Sequence, residues 1–129
     1  MADPRFLSVE DVLEVHADQI ERYGGSLGVR EVELLRAAIG MPEAGFGDQY
    51  LHADLYEMAA AYLYHIVQNH PFIDGNKRTG AMAAFVFLKL NGLMLDADES
   101  AFEEIVLKAA QGQIGKDAIA EFFRKRTRS

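Results

Sequence analysis

Eight consecutive apolar residues, at positions 81–88, constrain the fold of this chain more than any other feature. Such a run is typical of a buried element, and the Asn91-Gly92 pair after it is a common left-handed helix end. The run therefore predicts a central helix that starts near Lys77 and ends at Asn91. A chain of 129 residues is large enough for one hydrophobic core but not for two. We therefore expect a single domain over residues 1–129.

Further helices are indicated by capping residues that precede apolar positions spaced three and four apart. Pro71 keeps His70 out of the right-handed helical region, so the helix before it should end near Asn69. A long loop is expected at residues 41–51, which contain a proline and two glycines. The predicted class is all-α, a compact bundle of about six helices around a buried central helix. Besides the central one, the expected helices follow Ser8, cover 29–39, follow Asp54, follow Ser100 up to about 110, and cover 116–125.

Composition excludes several classes of function. The chain has no cysteine, which rules out disulfides, thiolate nucleophiles and cysteine-based zinc sites. It shows neither a leader-like N-terminus nor 18 consecutive apolar residues, so we expect a cytoplasmic protein without membrane attachment. The net charge of −7 argues against broad nucleic-acid binding. A basic tail at residues 124–128 is interpreted as a helix end or a solvated terminus rather than a ligand-binding patch.

The polar loop just before the apolar run carries the candidate chemistry. Residues 70–80 combine an imidazole, a carboxylate, an amide and two cations. Lys77 and Arg78 fall in the first turn of the predicted helix, where positive charge opposes the helix dipole by roughly 0.3–1 kcal/mol each. The arrangement is favourable when an anion sits at that helix end. The sequence therefore predicts a phosphate site with a general base beside it.

Two residues of this loop are candidates for acid–base and metal chemistry. An imidazole titrates near neutral pH, so His70 can take a proton from a hydroxyl group. Asp74 offers oxygen ligands suited to a Mg²⁺ ion that is bound mainly through nucleotide phosphates.

The remaining polar residues are candidates for holding the phosphates. Gly75 can adopt a positive φ and lets a phosphate approach the backbone. Asn76 fits the N-cap of the next helix, with its amide in reach of a phosphate oxygen. Lys77 and Arg78 supply a point charge and a bidentate fork. Taken singly, each residue is also compatible with an ordinary turn or a solvated face. Their coincidence in one loop favours the functional interpretation.

These residues resemble the motif of the Fic/Doc family, whose Fic branch carries H-x-F-x-D/E-G-N-G-R-x-x-R. Two positions depart from that branch: Lys77 replaces its last glycine, and Ala81 replaces its second arginine. Both departures are similar to the death-on-curing (Doc) branch, whose loop ends in Asn-Lys-Arg-Thr. The resemblance covers residues 5–123. The matching residues are His70, Phe72, Asp74, Gly75, Asn76 and Arg78.

The resemblance implies a compact Fic fold and an enzyme that uses ATP and Mg²⁺. His70 would be the base, Asp74 the metal ligand, and Asn76, Lys77 and Arg78 the phosphate holders. The Doc branch implies a toxin kinase that transfers the γ-phosphate of ATP to a serine or threonine hydroxyl of elongation factor Tu and stops translation. It also implies a Phd-like antitoxin that inhibits from a separate chain. Residues 41–51 would form the flap that docks the target.

Three hypotheses remain open from the sequence. The first is a kinase of Doc type, and the second is a Fic-type AMP transferase. The third is a catalytically silent binding module that keeps the fold for recognition. Ala81 weakens the second, because it removes the arginine that would orient the donor for AMP transfer. The complete set of polar loop residues weakens the third.

Overall fold

A computed structural model describes residues 3–129, and its six helices confirm the all-α prediction. Two antiparallel pairs of two-residue strands accompany the helices, β1 with β2 and β3 with β4. Within the described residues, no helix is long and apolar enough to cross a membrane. The elements are α1 (Val9–Tyr23), α2 (Val32–Gly40), β1 (Gly45–Phe46), β2 (Gln49–Tyr50), α3 (Leu55–Asn69), α4 (Asn76–Leu90), β3 (Met94–Leu95), α5 (Glu99–Ala110), α6 (Lys116–Arg126) and β4 (Thr127–Arg128).

Helix α1 shows how local sequence sets an element. The Ser8 hydroxyl accepts a hydrogen bond from the Asp11 N–H, and the Asp11 carboxylate accepts one from the Ser8 N–H, which forms the predicted capping box. The helix ends where Gly24 adopts a positive φ of 85°. The buried positions between these ends include Val12, His16 and Ile20, at helical spacing.

Helices α3 and α4 lie together at the centre. Helix α3 packs on α2, α4, α5 and α6, and α4 also packs on α1. The central place predicted for α4 is therefore shared with α3. The packing is close, because a methyl group added at Gly80 of α4 would lie 3.1 Å from Val67 of α3. The largest fully buried core side chains are Tyr62, Phe72, Phe87, Phe123, Leu35, Leu63, Ile66 and Leu88.

Three predicted boundaries are wrong or incomplete. Helix α2 starts at Val32 rather than 29, because Val29 is used in an antiparallel bridge to Phe72. The cap of α5 is Asp98, whose carboxylate accepts from the Ala101 N–H at 3.3 Å, and not Ser100. The loop at 41–51 contains the hairpin β1–β2.

The hairpin lies towards the C-terminal part of α4. The Tyr50 ring contacts Phe6, which stacks on Phe87 of α4. Phe87 lies eleven residues after Asn76, a distance of about 16 Å along a helix axis. Phe46 of this hairpin is 94% exposed. The base of the hairpin is thus packed well away from the end of α4 that carries the polar loop.

Candidate active site

The polar loop connects the end of α3 to the start of α4, and His70 lies at its first position. Helix α3 ends at Asn69, as predicted from Pro71. His70 is the only non-glycine residue with positive φ among the residues described, at φ 52° and ψ 52°. This left-handed conformation turns the chain away from the helix and leaves the side chain exposed. The imidazole is therefore accessible to a substrate.

Asp74 is held by backbone groups on both sides of its carboxylate. Oδ1 accepts from the Gly75 N–H at 2.9 Å, and Oδ2 accepts from the Ser26 N–H at 3.2 Å. These two hydrogen bonds lower the pKa of Asp74, so the group is ionised at neutral pH. Gly25 makes room for this contact, because a methyl group there would lie 2.7 Å from Oδ2. A carboxylate has about four lone-pair positions, so acceptor capacity remains for a cation.

His16 of α1 supports Asp74 from the interior. Its Nε2 lies 2.8 Å from the Asp74 backbone oxygen, which can only accept, so Nε2 carries the hydrogen. The imidazole also stacks on Phe72, with ring centroids 3.8 Å apart. No local pattern indicates a partner 58 residues away.

The start of α4 differs from the prediction. Gly75, at φ 76°, is the N-cap, and Asn76 is the first helical residue, so the predicted Asn76 cap is wrong. The Asn76 amide instead accepts from the Phe72 N–H at 2.9 Å and donates to the Phe72 oxygen at 3.0 Å. Because Asn76 is only 4% exposed, its side chain shapes the loop rather than facing a ligand. An anion would meet its backbone N–H, one of those that a helix start leaves without an intrahelical partner.

The two cations of the loop have different surroundings. Lys77 is exposed at the first turn of α4. Arg78 donates to the backbone oxygens of Gln19 at 3.3 Å and Gly24 at 3.0 Å. Its guanidinium thus binds carbonyls at the C-terminal end of α1, where positive charge is favourable. Arg78 ties α1 to α4 and has donors left over, whereas Lys77 projects from the surface.

A groove begins beside Arg78 and follows the exposed side of α4. Its cavity has a volume of about 370 Å³. Tyr23 of α1 and Phe102 of α5 form its walls, and Ala81 and Phe85 of α4 line it between them. Because Ala81 has only a methyl group, the groove stays open one turn from Arg78.

The six predicted site residues thus lie together at one end of the α3–α4 pair. The loop contains an exposed histidine and an ionised carboxylate, and its backbone is held by the buried Asn76 amide. The first turn of the following helix adds two cations. A sequence model of the Fic/DOC family matches residues 6–88. The chain belongs to this family.

Two curated relatives narrow the relationship to the Doc branch. The chain is 32% identical over 121 residues to "Protein kinase doc" of Escherichia phage P1, covering 94% of each chain. It is 38% identical over 117 residues to "Toxin Doc" of Mycolicibacterium smegmatis (strain ATCC 700084 / mc(2)155), covering 89% of this chain and 88% of the relative.

Proposed function

We propose that the protein is a toxin that transfers the γ-phosphate of ATP to a serine or threonine hydroxyl of a protein, with elongation factor Tu as the target. Membership of the Fic/DOC family supports a transferase, and the name of the phage relative supports a kinase. The observation that carries the proposal is the exposed His70 next to the positively charged start of α4.

The chain's own residues can carry out this reaction. His70 takes the proton of the acceptor hydroxyl, whose oxygen forms a bond to the γ-phosphorus as the bond to the β–γ bridging oxygen breaks and ADP leaves. The backbone N–H groups at the start of α4, together with Lys77 and Arg78, stabilise the charge on the phosphates. Phosphoryl transfer needs mainly such positioning and charge stabilisation.

The residues present also fit Mg²⁺. Asp74 is ionised and exposed, and residues 3–129 hold no group of three acidic, histidine or cysteine side chains that could enclose a metal alone. One carboxylate combined with substrate phosphates is the usual way in which proteins hold Mg²⁺. Bound there through Asp74, the ion would neutralise part of the phosphate charge.

The alternative within the family is AMP transfer, and labelled ATP separates the two. Purified elongation factor Tu is incubated with the protein, Mg²⁺ and ATP labelled at either the α or the γ position. The kinase proposal expects label on the factor from γ-labelled ATP only. Label from α-labelled ATP only would establish AMP transfer instead. No label from either, together with no nucleotide binding, would support the silent binding module.

We further propose that a separate, Phd-like antitoxin controls the enzyme in a type II toxin–antitoxin pair. The relative named "Toxin Doc" supports this role. The groove between α1 and α5 suits an amphipathic helix with apolar residues at i, i+3, i+4 and i+7. Co-expression of a small adjacent gene should restore growth. An isolated complex that still transferred phosphate at the full rate would contradict the proposal.

A further inference from the structure

His70 is held in a conformation that its own sequence disfavours. A left-handed backbone is unfavourable for an L-residue, and Pro71 adds its own restriction on the preceding residue. The values of φ 52° and ψ 52° therefore need support from elsewhere in the fold. Strained residues of this kind persist only where surrounding contacts determine them.

That support comes from Arg30, in the segment between α1 and α2. Its Nε donates to the His70 oxygen at 2.8 Å, and its Nη2 donates to the Asn69 oxygen at 3.1 Å. Its backbone N–H donates to the Pro71 oxygen at 2.7 Å. A single residue thus binds three consecutive carbonyl groups across the point where the chain turns.

The segment around Arg30 is itself fixed against the loop. Val29 pairs with Phe72 in an antiparallel bridge, and the Gly28 oxygen accepts from the Ile73 N–H at 3.1 Å. Gly28 has a φ of 129°, and a methyl group there would lie 2.8 Å from Ile73. The backbone of Arg30 is therefore held at a fixed distance from His70.

We propose that Arg30 is a positioning residue that acts through the His70 backbone and keeps the imidazole aimed at the acceptor hydroxyl. This inference rests on the proposed role of His70 as general base. A mere C-terminal cap would need only a positive charge near the last carbonyls of α3. The fork of Arg30 instead holds the two carbonyls that flank the strained His70 Cα, which fixes the φ and ψ of His70.

The test compares Arg30→Met and Arg30→Lys with the control Arg36→Met, which removes an exposed arginine of α2. Misplacing a catalytic group by about 1 Å can cost about 100-fold in rate. We expect Arg30→Met to lower kcat by about 10- to 100-fold while the KM for ATP changes by less than about twofold. Arg30→Lys should recover part of kcat, because lysine can still donate to one carbonyl. Arg36→Met should behave as the wild type.

A measurement independent of transfer separates this inference from the proposed function. NMR spectra of the His70 imidazole, assigned with His70→Asn, should shift and broaden in Arg30→Met but not in Arg36→Met. Unchanged His70 signals, unchanged kcat, or equal losses of kcat with Lys and Met would each overturn the inference. A wild type that transfers nothing from ATP would overturn the function, and the NMR comparison would still decide the role of Arg30. If Arg30→Met does not fold, Arg30→Lys serves for both measurements.

Discussion

Helix α3 contains His65, and five residues later His70 caps its end; the fold holds these two histidines in opposite ways. His65 is held through its side chain: Nε2 lies 3.1 Å from the Lys116 ammonium, which also lies 3.4 Å from Nε2 of His52. His70 is held through its backbone, by Arg30 and by the cap to Ile66, and its imidazole is exposed. In the first arrangement the imidazole is engaged in a contact with Lys116, and in the second the imidazole is free to face solvent.

The comparison shows that a shifted pKa alone does not identify a catalytic histidine. Burial first, then the charge of Lys116 and that of His52, together lower the pKa of His65 to about 4. Burial and Lys116 lower the pKa of His52 as well, partly offset by Glu57. This cluster joins the segment after the hairpin to α3 and α6, which is a structural role. We therefore propose His70 as the functional histidine on the geometry of its backbone and its exposure, not on titration.

The largest expected effect tests this contrast directly. His70→Asn should lower phosphoryl transfer by about 10²–10⁴-fold, because it removes the base, and asparagine tolerates the left-handed conformation. His65→Gln should keep most of the activity. Rates from γ-labelled ATP and circular-dichroism melting curves provide the measurement. A folded His70→Asn protein with the wild-type rate would remove His70 from the mechanism.

The next effect concerns the carboxylate of the loop. Asp74→Asn removes the negative charge of the carboxylate that we propose binds Mg²⁺. It should lower phosphoryl transfer by about 100-fold, with part of the loss recovered at high Mg²⁺. The matched control is Asp96→Asn, an exposed carboxylate paired with Arg128. Rates measured against Mg²⁺ concentration distinguish them. Equal Mg²⁺ dependence in both variants would contradict the assignment.

The pH dependence of stability should come from His65. Its pKa is about 4 in the folded protein, against about 6.5 in an unfolded chain. The stabilisation is therefore fully present above about pH 6.5 and is lost as the pH falls towards 4, because the unfolded chain binds the proton first. We expect the free energy of unfolding to fall by about 2 kcal/mol over this pH range. This is less than the full pKa shift would give, because His65 is partly exposed. Urea titrations at several pH values measure it.

His65→Gln should flatten that dependence, and His70→Asn is the matched control. The control should leave the fall in stability between pH 6.5 and 4 in place. An equally steep fall in His65→Gln would show that His65 does not govern acid stability. The two variants together test whether the half-buried His65 is structural and the exposed His70 is not.

Features set by neighbouring residues could be predicted from the sequence, and features set by distant residues could not. The ends of α1 and α3 depend on neighbours in the chain, such as Ser8 with Asp11 and the Pro71 that follows His70, so they could be predicted. The contacts of Arg30 with His70, and of His16 with Asp74, join residues 40 and 58 positions apart. No local periodicity encodes them. The Asn76 cap failed because the amide finds Phe72, a partner that exists only once the loop has folded.

The smallest effect compares two neighbouring cations. Lys77 and Arg78 both oppose the dipole of α4. From the sequence alone, removing either residue should therefore leave the free energy of unfolding unchanged or raise it slightly. The structure changes this expectation for Arg78 alone, because its guanidinium donates to the Gln19 and Gly24 oxygens of α1. Arg78→Ala should lower the free energy of unfolding by about 1 kcal/mol, reduced from the usual value for charged hydrogen bonds by partial exposure.

Lys77→Ala, its control, should leave that free energy unchanged or raise it by a few tenths of a kcal/mol. Urea titrations without nucleotide measure stability, and ATP titrations by calorimetry should show weaker binding for both variants. Equal stability losses would mean that Lys77 also has a structural partner. Unchanged ATP affinity in Lys77→Ala would remove it from the phosphate site and leave the backbone of α4 as the main support for the phosphates.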